Sequence, residues 1–170
     1  MKKVTSLPNG RVVVDMAPLD ELQKLLKKQM VARVGVLGGS PAREEGVVTN
    51  ADLGVIHEYG SEKAHIPARS WLRMPLQLYM PAVYKEIAGT FFTALERTGM
   101  AADTVYKQKF SLLGKRAEAV IQKAFASRGF GHWIANKPST IAAKGSDAPL
   151  IDTAEFRKSI TSDVKVKDLS

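Results

Sequence analysis

The chain has no cysteine. Disulfide scaffolds, zinc–thiolate centres and cysteine nucleophiles are therefore excluded. Histidine is scarce, with three in 170 residues, and their spacing argues against metal. A zincin helix needs two His four apart on one face, with Glu next to the first. Here Glu58 follows His57, but the next histidine, His65, stands beyond Gly60, and His132 is far away in sequence. The plainer reading is a His-Glu pair that holds a helix end against the loop after it. No apolar run approaches the ~18 residues of a membrane-spanning helix. Met1-Lys2-Lys3 makes a basic start, but Pro8, Asn9, Gly10 and Arg11 interrupt the apolar residues after it, so no secretion signal is read and the protein is expected in the cytoplasm when made. A Gly-x-Ser-x-Gly elbow is absent. Gly35, Gly38 and Gly39 carry neither the dinucleotide nor the Gly-Lys-Ser/Thr phosphate pattern and read as a tight turn at a strand end. Internal repeats and low-complexity tracts are missing too. No enzyme and no cofactor is expected from this inventory.

The rest of the composition is ordinary globular material with a basic balance. Apolar residues make up 45% and charged residues 25%, typical of a folded domain. At this length one domain is expected, with a core that buries about 70% of the unfolded surface. Lysine and arginine number 25 against 17 acids, a formal net charge of +8. That excess suits anionic partners in general. It is spread along the chain, without the compact basic block and interleaved aromatics of a sequence-specific nucleic-acid binder. A solvated basic surface and a surface facing DNA both remain open.

Residues 1–18 read as an N-terminal arm or hairpin turning at Asn9-Gly10, a type I′ signal, and residues 19–170 as a single α+β domain. Leu19, Leu22, Leu25, Leu26 and Met30 recur at helical spacing. Residues 31–37 are β-branched and short, a buried strand, and 38–48 a loop. Thr49 and Asp52 have capping-box spacing for a short helix that ends at Gly60, expected as a left-handed C′ residue. A long helix is expected over about 70–98, with a kink or break at Pro81, and a second over about 102–127. Residues 129–151 are expected to be a long, mostly irregular loop with a turn of helix near 140–143. Its apolar content (Trp133, Ile134, Ile141, Leu150, Ile151) makes it an arm that packs on its own domain or on a neighbour. Asp152 and Glu155 repeat the capping-box spacing before a short helix and a last strand over 161–166. Helices in the middle and strands at both ends give an α+β fold: a small mixed or antiparallel sheet against two long helices, with extended arms or loops.

Three blocks stand out. The first is Val34-Gly35-Val36-Leu37-Gly38. The second joins Ile56-His57-Glu58-Tyr59-Gly60 to Ile66-Pro67-Ala68-Arg69-Ser70-Trp71-Leu72-Arg73. The third runs from Pro138-Ser139-Thr140-Ile141 through Lys144-Gly145 to Pro149-Leu150-Ile151-Asp152-Thr153. Trp and Arg are enriched in interface hot spots. Trp71 therefore reads either as a core anchor or as a contact residue, with Arg69 and Arg73 turned to solvent. A Trp133 left uncovered by its own domain would mark a contact surface.

In order and spacing these blocks resemble the neck and tail-completion proteins of tailed bacteriophages, the phage virion-morphogenesis family, which is similar to lambda minor tail protein Z. The resemblance covers roughly residues 31–166 and departs at Ala154, where the family has Gly. It implies a structural virion protein, a head–tail joining subunit in a ring at the head-proximal end of the tail. The ring would be a homo-oligomer with six-fold related copies, made in the host cytoplasm and ending in the virion neck. Its partners would be the connector or stopper, the tail terminator and the tail tube, with non-specific DNA in the lumen and no membrane. The family-motif and interface candidates are His57, Glu58, Tyr59, Gly60, Pro67, Arg69, Trp71, Arg73, Trp133, Thr140, Lys144, Pro149, Leu150, Asp152 and Thr153. The alternatives are a basic nucleic-acid-binding accessory protein or a tail terminator.

Overall fold

A computed structural model describes residues 4–6, 12–14, 20, 23, 25, 27–38, 48–150 and 155–168. Strands β1 (Val4–Ser6) and β2 (Val12–Val14) pair antiparallel; the Asn9-Gly10 turn lies outside the described residues. Strand β3 (Lys28–Val36) pairs antiparallel with β4 (Ile160–Asp168), Lys28 opposite Asp168 and Val36 opposite Ile160. Between them come α1 (Asn50–Tyr59), α2 (Arg73–Gly89), α3 (Phe91–Thr98), α4 (Ala102–Ala126), α5 (Pro138–Lys144) and α6 (Glu155–Lys158). The fold is α+β, with an antiparallel two-stranded sheet and helices packed against it.

Helix α4 lies on both β3 and β4, and α2 packs on α4. Gly114, Ala117, Ile121 and Ala124, four of the six buried positions of α4, recur at the three- and four-residue spacing of one helix face. Gly114 lets the helix approach closely: a Cβ there would come within 2.8 Å of Ser162 Oγ. One turn further on, Glu118 accepts a hydrogen bond from the same hydroxyl. At the C-terminal end of α4 the core closes around Trp71, Phe125, Trp133, Phe156 and Ile160. The rings of Trp71 and Phe156 meet edge-on at 5.0 Å, and those of Phe125 and Trp133 at 5.4 Å. Such pairs add about 0.5–1.5 kcal/mol each beyond the area they bury.

Several expectations are corrected. Met30 is in β3, not in the preceding helix; Lys28–Met30 extend the strand because each finds a partner on β4, out to Asp168. Helix α2 runs through Pro81 without ending. Pro81 is exposed, so the carbonyl it leaves unpaired can be hydrated. The long segment divides instead at Thr90, whose hydroxyl donates to Ile87 O. Gly60 has φ 78° and ψ 179°, positive but extended rather than left-handed helical. Trp133 is not left for a neighbour: it is 8% exposed and belongs to the core. Of the two placements expected for the long loop, the described part, residues 129–150, takes the first and packs on its own domain, with Pro149 enclosed and Leu150 against the core. Residues 39–47, with most of the expected first loop, and the Asp152, Thr153 and Ala154 positions lie outside the described residues.

Candidate functional site

The site is built where the end of α1 meets the start of α2. Thr49 caps α1: its hydroxyl accepts from Asp52 N, and Asp52 accepts from Thr49 N. Asp52 titrates below the usual carboxylate range because the Thr49 hydroxyl and, after it, the Thr49 amide donate to its carboxylate. The helix ends at Gly60, where a Cβ would be 2.8 Å from Ala68 N and 2.9 Å from Ile66 O. The chain therefore folds back tightly. Ser61 and Ile66 exchange backbone hydrogen bonds at 2.9 Å, and Arg69 N donates to His57 O at 2.7 Å. This return brings residues 66–73 alongside the last turn of α1.

Glu58 shows what the return does. The first amides of any helix have no partner inside it, and the N-cap position of α2, Leu72, has no side chain that can cap. Glu58 supplies the acceptor from another helix. Its carboxylate accepts from Ser70 Oγ at 2.6 Å, Trp71 N at 2.9 Å, Leu72 N at 3.0 Å and Arg73 N at 3.3 Å. The fourth amide, Met74 N, donates to Ser70 Oγ. The negative charge sits at the positive end of α2, where it stabilises the helix. Glu58 is 5% exposed. Arg73 approaches it at 3.7 Å and lies over the Tyr59 ring.

The two tryptophans and Arg69 tie this corner to the rest. Trp71 is buried and donates its indole N–H to Gly54 O. Gly54 admits the indole; a Cβ there would lie 3.1 Å from it. Trp133 donates to Ser70 O. Arg69 corrects the expectation of an outward side chain: it is 7% exposed. Its Nε donates to Ile134 O at 2.8 Å, and its Nη2 to Ala135 O and Asn136 Oδ1 at 3.2 and 3.1 Å. Burial lowers its pKa from the ordinary arginine value.

Around Arg69 opens a cleft of about 1070 Å³, lined among others by His57, Tyr59, Gly60, Pro67, Ile134, Lys137 and Thr140. Sequence candidates from two distant blocks thus share one wall system. Glu58, Trp71 and Trp133 are buried and are not among the lining residues. Lys144 Nζ donates to Ala148 O, four residues on within the third block, and Pro149 and Leu150 are packing residues. Arg73 is exposed at the edge. Asp152 and Thr153 lie outside the described residues. Among the described residues no group of three or more His, Asp and Glu side chains is placed to hold a metal ion.

Two features escaped sequence reasoning. Ser70 and Asn136 hold Glu58 and Arg69 in place, yet nothing marks a serine or asparagine as a partner without the fold. The other is an apolar groove of about 200 Å³ between α2, α3 and α4, lined by Tyr84, Ile87, Phe91, Phe92, Tyr106 and Phe110 among others. Its signal was available in the aromatic spacing at 84, 91 and 92 and at 106 and 110. Tyr84 and Phe92 are 61% and 67% exposed.

No family model, no curated protein and no solved structure matches the chain.

Proposed function

We propose that the chain is a structural subunit of the tailed-phage neck, a tail-completion or head–tail joining protein that works by assembly and not by catalysis. The reading is carried by the ordered sequence blocks at 34–38, 56–73 and 138–153. Their placement supports it: Arg69 of the second block bonds to residues 134–136, just before the third block, and Thr140 of the third block lines the same cleft as His57, Tyr59 and Pro67 of the second. Glu58, the residue with the most catalytic appearance, is engaged by Ser70 and three backbone amides, which suits a fastening role. The aromatic groove leaves Tyr84 and Phe92 open to solvent, and an exposed apolar face of this kind is what a neighbouring subunit covers. On this reading copies of the chain form a six-fold ring in the virion neck, stacked on connector or stopper, terminator and tail-tube proteins, and the +8 charge tolerates DNA in the lumen.

Native mass spectrometry tests it, on the protein alone and mixed with the major tail protein encoded beside it. A defined ring, or a monomer that joins the tail protein, is expected. A monomer that ignores tail proteins and shifts onto duplex DNA with a steep salt dependence would favour the accessory nucleic-acid-binding reading instead.

A further inference from the structure

Arg69 carries a charge that no carboxylate among the described residues neutralises. Its guanidinium has five N–H donors. The Nε donor and both on Nη2 are taken by Ile134 O, Ala135 O and Asn136 Oδ1. The two on Nη1 have no partner among the described residues, and no carboxylate there pairs with Arg69. Three carbonyl-type acceptors could be met by neutral donors, and a buried cation without a counter-ion is costly. Arg69 also lines the cleft, so its unused edge is what an occupant meets.

We infer that the cleft takes an extended apolar segment of a partner protein, anchored by an aspartate or glutamate side chain whose carboxylate seats on the Nη1 edge of Arg69. With Nε and Nη2 engaged, Nη1 offers a carboxylate a single-nitrogen, charge-assisted hydrogen bond, stronger than one to a neutral acceptor. The other lining groups suit the flanking residues: Ile66, Pro67, Ala68, Ile134 and Ala135 supply apolar walls. A volume of about 1070 Å³ is far more than a lone anion needs. A nucleic-acid backbone fits worse. It is met by several basic side chains on an open face, one per phosphate, whereas this cleft sinks a single arginine, and its other charged lining residues, Lys137 and Glu62, are of opposite sign. The inference rests on the cleft alone and holds whether or not the chain forms a ring.

The test uses two blocked tripeptides, acetyl-Leu-Glu-Leu-amide and acetyl-Leu-Gln-Leu-amide, with inorganic phosphate as a third probe. Each is titrated into the ¹⁵N-labelled full chain, and amide shifts are followed. The Glu peptide is expected to bind in the millimolar range, shifting residues 66–69 and 134–136, and the Gln peptide about tenfold or more weaker, since one charge-assisted pair is lost. Equal binding of the two, binding of phosphate but not of the Glu peptide, or no shift with any probe overturns the inference. Ala135→Glu places a carboxylate on the cleft wall at an exposed position and is expected to weaken the Glu peptide about tenfold; unchanged affinity there also overturns it. Arg69→Lys, provided it melts as cooperatively as the parent, is expected to bind about tenfold more weakly; Ala135→Glu decides the matter whether or not that variant folds.

Discussion

Replacing Glu58 by alanine removes the acceptor for the N-terminus of α2 while leaving every residue of that helix unchanged. Three amides lose their partner at once, those of Trp71, Leu72 and Arg73. Loss of an N-cap alone costs about 0.5–2 kcal/mol. A charge at the helix end in a partly buried setting contributes up to about 2 kcal/mol more. Trp71 is 4% exposed, so water cannot readily replace the carboxylate at its amide, and a stranded buried donor costs about 1–3 kcal/mol. These effects overlap, and the expected loss is about 3–4 kcal/mol. For a chain of this size, that lowers Tm by roughly 10 °C. Urea unfolding followed by circular dichroism, with an unchanged m-value, measures it. Glu58→Gln keeps the shape and one carbonyl acceptor and is expected to lose about half as much. Glu62→Ala, exposed and outside this network, serves as the control and stays within about 0.5 kcal/mol of the parent. A Glu58→Ala variant within about 1 kcal/mol of the parent refutes the capping account.

Gly129 has φ 66°, and a Cβ there would lie 2.2 Å from Trp133 Cδ1; Gly129→Ala is expected to cost more than about 2 kcal/mol, read by chemical denaturation. Pro81 stands exposed inside α2, so Pro81→Ala restores a helical hydrogen bond to Gln77 and is expected to raise stability by about 1–3 kcal/mol, whereas a lower Tm would mean that Pro81 has a packing role. The carboxyl of Asp163 is held below its usual range chiefly by its hydrogen bond to Arg33. A depressed folded-state pKa stabilises the fold above the unfolded value, and the benefit disappears as pH falls through the folded value. Asp163→Asn is therefore expected to flatten the loss of stability below about pH 4, and an acid limb identical to the parent's counts against that pairing in solution.

The local devices are legible in the sequence and the long-range ones are not. Thr49 and Asp52 announce a helix start because the capping box closes over three residues. Gly99 announces a stop and stands in the left-handed conformation after α3. Met30 misleads because its spacing from Leu25 and Leu26 is that of a helix stripe, while its real environment is set by a strand whose partner lies far along the chain. Pro81 misleads because a proline costs a helix least where its freed carbonyl faces water. Arg69 cannot be placed from sequence, since two of its three acceptors are main-chain oxygens, which every residue has, and the third is the side chain of Asn136, which nothing in the sequence marks as a partner. Glu58 is placed correctly at a helix end by the plain His-Glu reading; that it caps a second helix becomes visible only once Gly60 has turned the chain back.

The pairing of β3 with β4 also sets an order of events. Val36 and Ile160 face each other across the sheet, roughly 120 positions apart, and closing a loop of that length costs about 4 kcal/mol of chain entropy before any constant term. Helices α2 to α4 lie within that loop and pack on one another across shorter separations, although α4 also packs on both strands. On a ribosome they can form while β3 waits with an open edge for a strand not yet made. The nascent protein thus exposes a template for mispairing until residues 160–168 emerge. Crowding of copies at that stage, rather than weakness of the finished fold, is where its yield is most vulnerable.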